Sequence, residues 1–335
     1  MLKKAKVTAK DVARLAGVSQ STVSRAFSPN PNVSKETLLK VYKAAEELDY
    51  RPNAIARSMV TNKTKLIGMI IHDMYNPFYP EVLDKFSKSL GMHGYHILFV
   101  NSESEHIRDE EVYQLLDYHV EAVIVTDAFL SSGLAEKFRK VDIPVIFFNR
   151  YEEMSSSSVV CCNNVHGGRL AASYLLERGL TRLAFIEGSP NTSTSMDREK
   201  GFREVLAEHG LDLLKVTGHF TFEGGFRAAM ELFRLKQPPE AIFCANDIMA
   251  LGAINAARVM GLKVPDDVSI MGFDDIAMAD WPIYRLTTIK QPVDEMVRET
   301  VELIVRNNAQ AASRPEFHMI SGQLVERESV IPLRR

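Results

Sequence analysis

At 335 residues the chain exceeds what one ordinary hydrophobic core supports, so two or three domains are expected. Its 46% hydrophobic and 25% charged residues are those of a folded soluble protein, and no stretch reaches the roughly 18 apolar residues of a membrane-spanning helix. The net charge of −3 hides a split: residues 1–65 carry 13 Lys/Arg against 5 Asp/Glu, and residues 66–335 carry 27 against 38, so a basic head that suits a polyanion precedes an acidic body.

The chain starts "MLKKAKVTAKDVARLA", which has positive charge but no apolar core, so no secretion signal is expected. Residues 6–50 read as three short helices. Thr8 is placed to cap the first, with Asp11 at its third position and Val12, Leu15 and Ala16 on its buried face. Gly17 ends that helix, because glycine takes the left-handed cap at little cost. Ser19 caps the next, Gln20 to Phe27, with Val18 and Val23 turned inward. Ser34 opens a third and longer helix with an apolar stripe at Leu38, Val41, Ala45 and Leu48. After Pro52, "NAIARSMVTN" forms at most two or three turns, too few to be stable alone in water.

Two helices joined by a tight Gly-containing turn are the pattern of helix-turn-helix DNA binding. The second helix exposes Gln20, Ser21, Thr22, Ser24 and Arg25. Gln pairs with adenine edges and Arg with guanine through two hydrogen bonds, while hydroxyls and the helix N-terminus suit phosphate oxygens. The competing reading, a three-helix bundle with an ordinary solvated face, fits poorly with the basic head and the absence of acids on this helix.

From Leu66 the rhythm changes. The runs "LIGMII", "HILFV", "AVIVT", "VIFFN", "RLAFIEG", "AIFCAN" and "VSIMGFD" alternate with amphipathic helical stretches. Continuous apolar strands spaced by helices indicate parallel sheets covered on both faces. The runs form two groups, one ending near Asn149 and one from Arg182 to Asp274, so two sheets are expected. "VVCCNN", "TTIKQP" and "MISGQLVERESV" then read as connections crossing between two lobes, whose cleft is the natural ligand site. The adjacent Cys161 and Cys162 have no metal-site spacing and suit a buried strand. With Cys244 as the third cysteine, they fit a reducing compartment, and the cytoplasm is expected. The N-x-S/T triplets at Asn32, Asn62 and Asn191 carry no meaning without secretion.

"VTAKDVARLAGVSQSTVSRAFSPNPNVSKETLLKVYKAAEELDYRPNAIARSM" resembles the DNA-binding head of the lactose-repressor/galactose-repressor family of ligand-responsive transcription regulators. The resemblance continues through "TKLIGMIIHDMYNPFY", "VHGGRLAASYLLERG", "CANDIMALGAINAARVMGLKVPDDVSIMGFDD", "LTTIKQP" and "LVERESVIP", and so covers essentially the whole chain. It implies an α/β protein with a three-helix helix-turn-helix head and hinge helix, then a two-lobed body with parallel sheets that is similar to periplasmic sugar-binding proteins. The expected head spans residues 1–62 with its hinge at 53–62. In the body, 63–335, lobe one takes about 63–161 and 293–320, and lobe two about 162–292 and 321–335. Ser19, Gln20, Ser21, Thr22, Ser24 and Arg25 are the implied DNA-reading residues, joined by Asn53, Ala56 and Met59 of the hinge. In the family that hinge orders when two copies meet on DNA, and an apolar side chain wedges into the minor groove, for which Met59 is the match.

For the cleft, the resemblance implies an aromatic wall of Phe78, Tyr79 and Phe220, with Asp127, Asn149, Arg198, Asn246 and Asp274 gripping a sugar or sugar derivative. Asp275 is expected to cap a helix, and His72 and Trp281 stand near the cleft without a firm role. Where the family often has Asp-Asn, this chain has Asn163-Asn164. The implied partners are double-stranded operator DNA, a small-molecule effector and a second copy of the chain, with no membrane. An enzyme is the rival from another class, but His72-Asp73 has no second ligand cluster, and the sequence shows no P-loop, G-x-S-x-G, H-E-x-x-H or dinucleotide-binding glycine loop. No catalytic residue, cofactor or metal is therefore expected. A sugar-capture protein without a regulatory role is the alternative, and the basic head argues against it.

Overall fold

The computed structural model describes residues 7–27, 31–51, 63–152, 157–309 and 314–333. The chain divides into two compact units, residues 1–64 and 65–335.

In the first unit, α1 (Ala9–Ala16), α2 (Gln20–Ala26) and α3 (Lys35–Glu47) surround a small core of Val12, Ala13, Val23, Ala26, Val41, Ala44 and Ala45. Local chemistry sets each boundary. The Asp11 carboxylate accepts from the Thr8 backbone N–H (3.0 Å) and hydroxyl (2.8 Å), closing a capping box. These bonds hold the Asp11 carboxyl below its usual range. Gly17 takes φ 67° and ends α1. Ser19 Oγ accepts from the Thr22 N–H at 3.1 Å, and Ser34 Oγ from the Thr37 N–H at 3.2 Å. One expectation fails here: Leu15 is 46% exposed, and Ala13 takes the buried place beside Val12. On an eight-residue helix a one-position rotation of the stripe is enough to exchange them.

The second unit holds two sheets of six strands with the same winding. The first runs β11 (Phe317–Ile320), β5 (Ser158–Cys162), β4 (Val145–Phe148), β3 (Ala122–Val125), β1 (Leu66–Ile71), β2 (His96–Asn101), with every pairing parallel. The second runs β12 (Gln323–Val325), β10 (Thr287–Lys290), β9 (Ser269–Asp274), β8 (Ala241–Cys244), β6 (Leu183–Glu187), β7 (Leu214–Thr217), with β12 alone antiparallel among the described strands. The segments read as crossings do carry the chain between the sheets, but they also contribute strands: "VVCC" is β5, "TTIK" is β10, and "MI" and "QLV" end β11 and β12. Cys161 and Cys162 are buried in β5, where burial pushes both thiols up to about 12.

Among the described residues, eight α-helices and one short 3-10 turn accompany these sheets: α4 (Phe78–Met92), α5 (Asp109–Asp117), α6 (Ser132–Arg139), α7 (Asn164–Glu177), α8 (Ser193–Glu208), α9 (Phe222–Phe233), α10 (Asp247–Val259), the 3-10 turn Ala277–Asp280, and α11 (Val293–Ala309). Glycine lets α7 and α8 approach backbone to backbone. A Cβ on Gly168 of α7 would lie 2.2 Å from the Arg198 carbonyl oxygen, and one on Gly201 of α8 would lie 1.9 Å from the Val165 carbonyl oxygen. In both sheets the winding reverses beside the first strand of the set, β1 or β6, and the ligand-bearing ends of such sheets are the carboxyl ends of the strands.

Candidate functional site

The strand ends of the two sheets meet around one small cavity. Asp73, Asn76, Phe78, Tyr79, Asn149 and Arg150 line it from the first sheet's side, and Thr194, Arg198, Phe220, Asn246 and Asp274 from the second's. Its volume is about 20 Å³, room for about one water molecule. Seven of the eight residues expected to meet a ligand are therefore brought together.

The first wall begins after β1. The Asp73 carboxylate accepts from the backbone N–H groups of Tyr75 (3.1 Å) and Asn76 (3.2 Å), and Asn76 Oδ1 accepts from the Phe78 N–H (3.1 Å). These two side-chain turns fix the entry into α4, so its first residues, Phe78 and Tyr79, are buried against the cavity with their rings edge to face at 5.2 Å. Burial raises the Asp73 carboxyl, and the nearby Asp127 charge adds to the rise. After β4, Asn149 stands at φ 72° and donates from Nδ2 to the Tyr79 hydroxyl at 3.2 Å. Its Oδ1 is buried without a partner.

The second wall is organised by Arg198, 2% exposed at the cavity floor. Its Nε donates to Asn164 Oδ1 at 2.8 Å, Nη1 to the Ala245 carbonyl, and Nη2 lies 3.5 Å from Asp274 Oδ1. The guanidinium carbon lies 3.6 Å from the Phe273 ring centroid. Burial lowers the guanidinium's pKa, and Asp274 pulls it back. Asp274 ends β9 at φ 121°, accepts from Gln291 Nε2 at 2.8 Å, and is pushed up to about 6 by burial, against the pull of Arg198. Phe220 also sits at positive φ (57°), with its ring laid on Gly188, where a Cβ would come within 2.0 Å of Cζ. Residues held at positive φ without glycine cost stability and cluster where function needs them, and three line this cavity.

Asn246 combines a structural and a lining role. Its Oδ1 accepts from the Met249 N–H (3.1 Å) to cap α10, while Nδ2 reaches the Phe220 carbonyl at 3.3 Å.

Asp127 does not line the cavity. It is buried, and its carboxylate accepts from the backbone N–H groups of His72 and Asp73 (2.7 Å each) and from the Thr126 hydroxyl (2.8 Å). It shapes the turn that carries Asp73. Asp275, expected as a cap, instead pairs with Arg327 at 2.7 Å, and the 3-10 turn is entered through Ile276. His72 contacts the Ser102 carbonyl through Nδ1 at 3.0 Å, and Trp281 is 50% exposed away from the cavity. The Asn163-Asn164 pair divides its work: Asn163 caps α7 by accepting from the His166 N–H (3.0 Å), and Asn164 holds Arg198.

Four lining residues were not anticipated. Asn76 lies inside the "NPFY" motif and Arg150 follows Asn149, so both had a signal in an adjacent residue. The sequence marks Asp73 only as half of a His-Asp pair. Thr194, in the first turn of α8, has no sequence signal; its Oγ1 is buried and unpartnered.

In the first unit, Ser19, Gln20, Ser21, Ser24 and Arg25 are exposed along α2. Thr22 is only half exposed, its hydroxyl 2.8 Å from Ser19 Oγ. The Arg25 side chain reaches back to the Ser21 carbonyl (3.4 Å) and hydroxyl (3.5 Å). Asn53, Ala56 and Met59 of the expected hinge lie outside the described residues.

Residues 8–53 match the model of the bacterial regulatory proteins of the lacI family, and residues 172–330 match the periplasmic binding protein-like domain. The ribose operon repressor of Escherichia coli (strain K12) is 33% identical over 327 residues, spanning 96% of this chain and 99% of that protein. The lac repressor dimer, solved bound to operator and the anti-inducer ONPF, superposes with a TM-score of 0.86 at 25% identity, covering 98% of this chain and 100% of that one. The transcriptional regulator CelR, solved as its cellobiose complex, superposes with a TM-score of 0.72 at 28% identity, over 97% and 100% of the two chains. The chain belongs to the lacI family of bacterial regulatory proteins, as a ligand-responsive DNA-binding repressor with a helix-turn-helix head and a periplasmic-binding-protein-like body.

Proposed function

We propose that the chain represses carbohydrate-related genes by binding a roughly palindromic operator as a homodimer, with a sugar or sugar derivative in the body's cavity setting operator affinity. The observation that carries this reading is the pairing of two surfaces in one chain. The α2 helix exposes Gln20, Ser21, Ser24 and Arg25 with no acid among them, and the body encloses a polar, aromatic-walled cavity with unpartnered buried atoms. Those atoms, Asn149 Oδ1, Thr194 Oγ1 and Arg150 Nε, include donors and acceptors, which is what a polyol satisfies. The ring faces of Phe78 and Phe220 suit a sugar's C–H surface. The relatives support the same reading, since one is a repressor of a ribose operon and another was solved with cellobiose.

In this scheme Phe78, Tyr79, Asn149, Arg198, Phe220, Asn246 and Asp274 contact the effector, and Asp127 positions the turn beside it. Ser19, Gln20, Ser21, Thr22, Ser24 and Arg25 read the major groove, and Asn53, Ala56 and Met59 act in the hinge. The lobes divide near 161/162, 292/293 and 320/321. A cavity of about 20 Å³ admits a sugar only as the lobes part, so ligand entry and lobe movement are one event. That movement resets the spacing of the two hinges in the dimer. The role is regulatory, not catalytic, and belongs in the cytoplasm with the DNA; among the described residues no helix is long and apolar enough to cross a membrane.

Selection of duplexes from a random pool tests the DNA half. A two-fold symmetric sequence is expected, with half-sites about 34 Å apart. Arg25→Ala is expected to lose about 10- to 100-fold on the selected site and much less on random DNA. An equal fall on both would remove Arg25 from base reading.

A further inference from the structure

The cavity holds two guanidinium groups, and their situations differ. Arg198 is fully engaged: Asn164, the Ala245 carbonyl and the Asp274 carboxylate take its three nitrogens. Arg150 has no carboxylate within ion-pair distance among the described residues. Its Nη1 donates to the Asp127 main-chain carbonyl at 2.6 Å, its guanidinium carbon lies over the Phe220 ring 5.0 Å from the centroid, and its Nε is buried with no partner.

The neighbouring acids form no ion pair with it among the described residues, although Asp274 is near enough to feel its charge. Asp127 spends both carboxylate oxygens on the His72 and Asp73 backbone and offers Arg150 only its carbonyl. The Asp73 carboxylate is turned to the Tyr75 and Asn76 backbone. Asp274 lies with Arg198 and Gln291. The residue directly before Arg150 is an amide, Asn149, which brings no charge.

A guanidinium anchored through one Nη and braced on an aromatic face presents its remaining edge, Nε with the other Nη, as a fixed two-donor fork. That edge matches the two oxygens of a carboxylate. Arg150 is half-buried and makes no ion pair among the described residues, so a ligand anion supplies the counter-charge that the protein does not.

We propose that the effector is an acidic sugar derivative whose carboxylate is bound side-on by Arg150, its hydroxyls being held by Asn149, Thr194 and the Arg198–Asp274 pair. This rests on the sugar reading above and narrows it. A carboxylate is favoured over a phosphate ester, because a single fork faces it and the Asp73 and Asp274 carboxylates line the same small cavity. A phosphate's second charge would meet them.

Calorimetry on the full chain with matched compounds decides the matter: glucose, gluconate, glucuronate and glucose 6-phosphate, with the same forms of galactose and ribose. The expected result is that a carboxylate member binds at least tenfold tighter than its neutral counterpart. Arg150→Met should remove that preference while the neutral sugar's affinity moves less, and Arg150→Lys, which keeps the charge without the fork, should restore only part of it. A neutral sugar binding as tightly as its acid overturns the anion assignment and leaves the sugar reading standing. Tighter binding of the phosphate ester overturns the choice of carboxylate. No binding by any member overturns the sugar reading and this inference together. Because the matched compounds are compared on the unaltered chain, the outcome does not depend on the variants folding.

Discussion

Asp274 joins a buried carboxyl to a place in the cavity wall. Burial raises its carboxyl to about 6, from an ordinary value of 3.8, against the pull of Arg198 and Gln291. The folded chain therefore holds this proton more tightly than the unfolded chain. Its contribution to stability is present at low pH and is lost as pH rises through about 4 to 6. The ionised form is the one that accepts hydroxyl hydrogen bonds, so effector affinity is expected to increase across the same region, with a midpoint near 6. Titration calorimetry at a series of pH values checks this, and Asp274→Asn should flatten the profile. A pH-independent affinity in the unaltered chain would separate Asp274 from the ligand.

Residue by residue, the sequence was most informative where the relevant chemistry is local. The caps at Thr8, Gly17, Ser19 and Ser34 depend on neighbours within four positions, and all four stand where the sequence places them. Asp127 was misplaced because a strand-end position says nothing of which way a carboxylate turns. Two backbone N–H groups from the loop after β1, more than fifty residues away in sequence, capture it. Thr194 was invisible for the same reason, since only the meeting of the two sheets gives it a role.

Among the elements, the crossing of α7 and α8 does most to build the site. Gly168 and Gly201 let the two backbones touch, and that closeness brings Arg198 of one helix to Asn164 at the start of the other. Gly201→Ala puts a methyl group against the Val165 carbonyl. It is expected to cost about 1–3 kcal/mol in urea unfolding and to weaken effector binding by shifting Arg198. An unchanged unfolding midpoint would show that the helices part freely. "VHGGRLAASYLLERG" reads as a helix from its periodicity, but its glycines gain meaning only from α8. Seven strands are legible as continuous apolar runs, and β5 through its buried cysteines; β10, opening on two threonines, is not, and β7, β11 and β12 are not because exposed positions interrupt the pattern.

A second element-level device lies outside the cavity. Across the rim between the lobes, the Tyr151 hydroxyl donates to Asp197 Oδ2 (2.8 Å), the Tyr151 N–H to Ser193 Oγ (3.0 Å), and the Ser189 hydroxyl to Glu105 Oε1 (2.9 Å). These bonds join the two sides through residues that do not line the cavity. Tyr151→Phe is expected to weaken effector binding by up to about tenfold, the worth of about one net hydrogen bond. An unaltered affinity in calorimetry would show that the rim does not restrain the lobes.

For the whole molecule, the division of charge matches the division of labour. The basic head suits a polyanion and the acidic body does not, which fits DNA contact through the head that matches the lacI-family model. The two sheets of the body are linked by three chain crossings, and in the proposed scheme a ligand acts by changing their relation. Two sites coupled in this way obey reciprocity: whatever factor the effector imposes on operator affinity, the operator imposes on effector affinity.

The most direct test of the account is operator binding by the full chain, measured by fluorescence anisotropy on a selected duplex with and without saturating effector, beside calorimetry of the effector with and without that duplex. A change of about 5- to 150-fold in operator affinity is predicted, with the same factor in the reciprocal experiment. A ligand that calorimetry shows bound in the cavity, and that leaves operator affinity where it was, would contradict the account.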